Sequence, residues 1–137
     1  MALTHMLDTN IVSDLIRHPR GRVRDKIAEY GESTVCTSLI VASEIRFGCA
    51  KKNSEPLTER ANAILNALTI LPLEAPLDSH YADIRSTLEA QGELIGPNDL
   101  LIAAHARELG LTLVTANEEE FKRVENLKVE NWLKRDF

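Results

Sequence analysis

Short apolar runs alternate along the chain with longer segments in which apolar residues recur at helical spacing. The clearest runs, at 5–7, 33–37 and 111–115, contain Val, Thr and Leu and have the length of buried strands. Two further short runs, at 70–73 and 127–131, are also predicted to be strands. Polar and turn-forming residues bound each of them, as expected for strands in a compact fold.

The segments between these runs are predicted to be helices, because their apolar residues return every three or four positions. Prolines fall in the first turn of two of them, and glycines follow the last turn of three. The predicted helices are 10–17, 20–30, 39–51, 56–68, 77–91, 97–109 and 118–123. Strands that alternate with helices favour an α/β fold with a mostly parallel central sheet, whose ligand site lies at the carboxyl ends of the strands.

The composition narrows the class of protein. A chain of 137 residues fits one compact domain, expected to span 1–137, and 44% hydrophobic with 27% charged residues is typical of a globular protein. No apolar stretch reaches the roughly 20 residues of a membrane span, and the first residues do not form a secretory signal. Cys36 and Cys49 are predicted to be reduced, buried thiols in a cytoplasmic protein. The net charge of −5 argues against a protein that coats nucleic acid.

Four carboxylates, Asp8, Glu44, Asp99 and Glu120, stand at the ends of apolar runs or on apolar helix faces. Ionised carboxylates are costly to bury unless a cation meets them, and no Lys or Arg is obviously paired with them. Three or four acids at one sheet edge can hold one or two hard divalent ions. Such ions activate water and stabilise charge on phosphate, so the pattern predicts a metal-dependent nuclease.

Each acid also has a simpler explanation. Asp8 can cap the helix that follows it, and Asp99 can stabilise the start of its own helix through the helix dipole. Glu44 can reach solvent from the boundary of its apolar face. Glu120 belongs to a run of three glutamates that is ordinarily solvated.

Taken together, these segments resemble those of PIN domains in their order along the chain, and more narrowly those of VapC-type toxins of bacterial type II toxin–antitoxin systems. The resemblance extends from Met6 to Trp132. The matching segments are Leu7-Asp8-Thr9-Asn10, Ser43-Glu44-Ile45-x-x-Gly48, Gly96-Pro97-Asn98-Asp99 with the Ala-rich helix that follows, and Leu113-Val114-Thr115-Ala116-Asn117 before Phe121.

The resemblance implies a PIN-like three-layer fold and a ribonuclease that depends on magnesium, with manganese as the alternative. It implies that Asp8 and Asp99 are the main metal ligands and that Glu44 and Glu120 complete the acidic site directly or through water. Thr115 would orient the site, and Asn117 occupies a position where many PIN domains have Asp. The family also implies an RNA substrate such as tRNA, a cognate VapB-type antitoxin and a homodimeric toxin.

Several alternatives stay open at this stage. An inactive PIN-like interaction module and a DNA nuclease of the same class are the rival functions. Arg20, Arg22 and Arg24 belong to a dense basic run, Arg17 to Lys26, that either binds RNA or is a solvated helix face. The apolar stripe of the 56–68 helix is expected to face the core, with an antitoxin groove or dimer contact as the alternative. Trp132 is expected to anchor the end of the chain.

Overall fold

The computed structural model describes residues 2–134 and contains one sheet of five parallel strands. The strands lie in the order β3-β2-β1-β4-β5, so the first strand of the chain is at the centre. The predicted α/β class is therefore confirmed. The strands are β1 (His5–Leu7), β2 (Val35–Ser38), β3 (Thr69–Leu71), β4 (Thr112–Val114) and β5 (Val129–Glu130).

All the predicted helices are present, and they flank the sheet. The first helix, 9–17, packs against the helices 22–30, 39–52 and 55–67, and the last two of these three pack against each other. The helix 77–90 packs against the helix 97–108. None of the helices within residues 2–134 is long and apolar enough to cross a membrane. The helices are α1 (Thr9–Arg17), α2 (Arg22–Tyr30), α3 (Leu39–Lys52), α4 (Glu55–Ala67), α5 (Leu77–Ala90), α6 (Pro97–Glu108) and α7 (Glu118–Phe121).

The pairing of β1 determines where the site lies. Leu7 is in register with Thr37 of β2 on one side and with Val114 of β4 on the other. The Thr37 hydroxyl donates a hydrogen bond to the Leu7 carbonyl (2.7 Å), and the Asp8 amide donates to the Val114 carbonyl (3.0 Å). The carboxyl ends of three central strands therefore meet next to Asp8, as expected for a parallel sheet.

The second strand begins later than predicted. Residues Glu32–Thr34 form a turn of 3-10 helix, and extended backbone starts only at Val35. The Thr34 hydroxyl donates to the carbonyls of Gly31 (2.8 Å) and Tyr30 (3.2 Å), which holds the turn closed. Thr and Ser hydroxyls compete in this way with extended structure, and the strand preference of Thr34 is overridden.

The end of the described chain folds back onto the sheet and α2. Trp132 is only 2% exposed and stacks on Tyr30, with ring centroids 5.5 Å apart and planes 8° apart. The Arg22 guanidinium donates to the carbonyls of Trp132 (3.3 Å) and Lys134 (3.0 Å). The predicted anchoring role of Trp132 is confirmed. Both cysteines are free and buried, as expected.

Candidate active site

Asp8 lies at the junction of β1 and α1, and its side chain is 4% exposed. It is the N-cap of α1, since Oδ1 accepts a hydrogen bond from the Ile11 amide (3.0 Å). The capping alternative is therefore correct for one carboxylate oxygen. One such bond leaves the acceptor capacity of the carboxylate largely unused, so capping and metal binding are compatible.

The surroundings of Asp8 disfavour its charge. Burial is the main reason that its pKa rises from 3.8 to about 6. The nearby carboxylates of Asp99 and Glu44 raise the pKa further, whereas contacts with the Thr115 hydroxyl and the Ile11 amide lower it. A cation in the pocket would favour the ionised form.

Glu44 is held from two sides. The Thr9 hydroxyl donates to Oε1, and the Asn98 side-chain amide donates to Oε2 (3.3 Å). Thr9 directly follows Asp8 along the chain, and Asn98 directly precedes Asp99. The half-buried Glu44 is thus tied to the segments that carry the other two acids, and it does not simply extend into solvent.

Asp99 and Glu120 complete the group of acids. Asp99 lies in the first turn of α6. Its pKa is raised by burial first, then by the negative charges of Glu120 and Glu44. Of the three glutamates in α7, Glu118 instead lies 3.8 Å from Lys122, and Glu119 is exposed. The structure therefore brings Asp8, Glu44, Asp99 and Glu120 to one edge of the sheet.

The two predicted supporting residues contribute differently. Thr115 is fully buried at the end of β4, with its hydroxyl beside Asp8. The Asn117 backbone amide donates to Thr115 Oγ1 (2.9 Å). Because Asn117 is exposed, its observed contribution to the site is this backbone hydrogen bond.

The acids lack protein cations as partners. Every ion pair in residues 2–134 involves other carboxylates, so only neutral donors of the protein stabilise the charges of these four acids. Within the same residues, no three Asp, Glu, His or Cys side chains form a ready-made metal cluster. The four acids offer carboxylate oxygens, the donors that hard divalent ions such as Mg²⁺ prefer, whereas structural zinc sites use Cys and His.

The basic run does not form a continuous charged surface. The Arg22 guanidinium is occupied by the carbonyls of the C-terminal segment, and Arg24 donates to the Pro19 carbonyl (3.4 Å). Arg20 is exposed. The structure does not bring these three arginines into the acidic site.

Sequence reasoning missed Thr9 and Asn98 as contributors to the site. Both lie in the segments that were singled out, but their partner Glu44 is distant in sequence. The feature of the sequence that could have indicated their role is their position next to Asp8 and Asp99. His105 of α6 is buried outside the site, with Nδ1 2.9 Å from the Ser38 hydroxyl that caps α3.

Comparison with known proteins identifies relatives across the whole site. Residues 5–127 match the PIN domain family. The chain is 39% identical to ribonuclease VapC2 of Rickettsia felis over 132 residues, covering 95% of this chain and 98% of the relative. It is 36% identical to the tRNA(fMet)-specific endonuclease VapC of Shigella flexneri over 134 residues, covering 95% and 98%.

Solved structures of relatives have the same fold. The VapBC2 complex of Rickettsia felis, bound to a DNA fragment from its promoter, contains a chain that aligns with a TM-score of 0.88 at 36% identity, covering 96% of this chain and 99% of that one. DNA-bound VapBC from Salmonella typhimurium aligns with a TM-score of 0.86 at 30% identity, covering 95% and 98%. The chain belongs to the PIN domain family and, within it, to the VapC ribonucleases, which are the toxins of VapBC toxin–antitoxin pairs.

Proposed function

We propose that this ribonuclease is a magnesium-dependent endonuclease, with manganese as the alternative ion. Asp8 and Asp99 are the direct ligands, and Glu44 and Glu120 complete the pocket directly or through water. The observation that carries the proposal is the hydrogen bonding of Glu44: Thr9, next to Asp8, and Asn98, next to Asp99, donate to its two carboxylate oxygens, so the chain holds three acids close together. No protein cation among residues 2–134 offsets this charge by an ion pair.

A bound divalent ion supplies positive charge that activates a water and stabilises the phosphate during in-line displacement. The chain supplies the geometry for this chemistry. Thr9 and Asn98 fix both oxygens of Glu44, and the Thr115 hydroxyl lies beside Asp8. These donors favour ionised carboxylates, which counters the effect of burial and mutual repulsion.

Transfer RNA is the proposed substrate. The relatives from Shigella flexneri and Salmonella typhimurium are named tRNA(fMet)-specific endonucleases, at 36% and 32% identity. Arg20, Arg22 and Arg24 remain proposed RNA contacts, of which Arg20 is the least engaged within the protein. Inhibition of translation is the expected consequence of tRNA cleavage.

A cognate VapB-type antitoxin is the proposed partner, and the toxin is proposed to be a homodimer formed by one PIN-like domain per chain. Support comes from the relatives solved as VapBC complexes from Rickettsia felis and Salmonella typhimurium, both described as DNA-bound. By analogy, the complex of this chain with its antitoxin binds promoter DNA.

Cleavage of total cellular RNA by purified, antitoxin-free protein tests the proposal. Discrete products are expected with Mg²⁺ or Mn²⁺, and none with EDTA or with Asp8→Asn or Asp99→Asn. Mapping the product ends names the substrate. Intact RNA with folded, metal-loaded wild type would favour the inactive module, and cleavage of single-stranded DNA alone would favour a DNA nuclease.

A further inference from the structure

A cavity of about 310 Å³ opens directly beside the acidic site. It lies among α1, α3 and α4, and Thr9 and Glu44 line one end. Arg17 and Lys52, each in the last turn of its helix, line it as well. The cavity thus connects a residue of the acidic site to two cationic side chains.

These two cations are not engaged elsewhere. Across residues 2–134, neither Arg17 nor Lys52 has a carboxylate within ion-pairing distance. Most of the other basic side chains have partners. Those with ion pairs or hydrogen bonds are Arg22, Arg24, Lys26, Arg46, Arg85, Arg107, Lys122 and Arg123.

A glycine keeps the cavity open. Gly48 lies inside α3 and lines the cavity, and a Cβ placed there would meet no atom within 4 Å. Glycine is a poor helix former, and no close packing requires it at this position. The missing side chain therefore preserves space next to Glu44 rather than relieving a clash.

The charge balance indicates what fits this space. A chain of net charge −5 with four clustered acids repels RNA, so association needs cations placed along the path of the RNA backbone. Glu44 and Lys52 are separated by about 12 Å along the helix, at 1.5 Å per residue. That distance corresponds to roughly three to four nucleotides of a stacked strand.

We propose that this cavity is a substrate subsite, in which Arg17 and Lys52 bind a backbone phosphate of the RNA a few nucleotides from the one that is cleaved. The polar side chains of Asn10 and Ser13 line the same wall and can donate to phosphate oxygens. The subsite rests on the proposed endoribonuclease function and deepens it. In this proposal, two defined side chains, Arg17 and Lys52, contact the RNA backbone in place of the whole basic run.

Fluorescence anisotropy with a labelled 20-nucleotide single-stranded RNA tests the subsite. Binding is measured with Mn²⁺ in an Asp99→Asn background, so that cleavage does not interfere and one acidic charge is removed. Adding Arg17→Gln and Lys52→Gln should weaken binding at least tenfold and reduce the slope of log K against log salt by about 0.7, the value for one neutralised phosphate of a single strand. In the otherwise wild-type chain, the same pair should raise KM and leave kcat nearly unchanged.

Lys51→Gln with Arg60→Gln is the charge-matched control, since both residues are exposed and neither lines the cavity. An equal loss in this control, or unchanged binding in the Arg17/Lys52 pair, would overturn the subsite. Retained RNA binding combined with lost antitoxin binding would assign the cavity to the protein partner instead. A wild type that binds RNA through Arg17 and Lys52 but cleaves none would refute the proposed function alone.

Gly48→Leu provides a variant that keeps all charges. Its side chain would occupy the cavity, so KM should rise several-fold without loss of thermal stability. An unchanged KM in a folded Gly48→Leu protein would show that RNA does not enter this space.

Discussion

At the scale of single residues, the site depends on donors that are sequence neighbours of the proposed metal ligands. Thr9 follows Asp8, Asn98 precedes Asp99, and both donate to Glu44. Glu44 of α3 is thereby positioned by two junctions: the one between β1 and α1, which carries Thr9, and the start of α6, which carries Asn98. Small changes at Thr9 or Asn98 are therefore expected to act on metal binding through Glu44.

Replacing Thr9 with Val removes the hydroxyl and keeps the shape of the side chain. We expect Mn²⁺ affinity, measured by calorimetry, to fall several-fold, together with kcat for RNA cleavage, because Glu44 loses the donor to Oε1. Thr9→Ser should restore both. Thr58→Val is the matched control, because that hydroxyl donates only to the Ser54 carbonyl within α4 (2.9 Å). Full Mn²⁺ affinity in Thr9→Val would contradict the positioning role.

The raised pKa of Asp8 predicts a specific dependence of stability on pH. Between pH 3.8 and about 6 the folded protein holds the Asp8 proton more tightly than the unfolded chain does. The metal-free protein therefore loses stability as the pH rises through this window, by up to about 3 kcal/mol. Asn at position 8 can still accept the capping bond but carries no charge.

Urea denaturation in EDTA should accordingly find Asp8→Asn more stable than wild type at pH 8, with the difference disappearing near pH 4. A difference between wild type and Asp8→Asn that is constant from pH 4 to pH 8 would exclude the burial of charge as its cause.

The acids themselves could be identified from sequence, because carboxylates on apolar faces are conspicuous. Thr9, Asn98 and Lys52 could not, since their significance lies in partners that only the fold brings near. The roles assigned to Asp8, Glu44, Asp99 and Glu120 stay predictions until the metal and the substrate are tested.

At the scale of elements, α3 contains both the proposed site residue Glu44 and a residue of low helix propensity, Gly48. Gly48 lowers the helix propensity of α3, and the space around its missing Cβ is open. Gly48→Ala should therefore raise the free energy of unfolding by about 0.5–1 kcal/mol in urea denaturation. Ala50, on the exposed side of α3, provides the reverse control. Ala50→Gly should lower the free energy of unfolding by a similar amount. A destabilised Gly48→Ala protein would mean that the position tolerates no Cβ.

The strands and helices could be predicted from the sequence because the spacing of apolar residues and the positions of Gly, Pro and polar turn residues indicate the same elements. Disagreements arise at the ends of elements, where side chains bond to nearby backbone. Thr34 closes a 3-10 turn on Gly31, and Ser54 caps α4 so that the helix starts at Glu55, one residue before the predicted start at Pro56. The order of strands was not readable, because it depends on which short strands pair.

At the scale of the whole molecule, the described C-terminal segment closes the structure. Trp132 packs against Tyr30 and His5 with little exposure. Trp132→Ala should lower the free energy of unfolding by about 3–5 kcal/mol, as for other large-to-small core changes. Trp132→Phe, which keeps an aromatic ring, should lower the free energy of unfolding clearly less than Trp132→Ala does. A loss below about 1 kcal/mol in Trp132→Ala would show that the segment is not part of the cooperative core.

The central position of β1 has a consequence for how the toxin becomes active. The first strand to leave the ribosome must wait for α6 and α7, because Asp99, which lies near Asp8, and Glu120, which lies near Asp99, are made only when most of the chain is finished. At 5–20 residues per second, the interval between Asp8 and Glu120 is on the order of 10 s. The sheet order therefore allows the acidic site to assemble only when synthesis of the chain is almost complete.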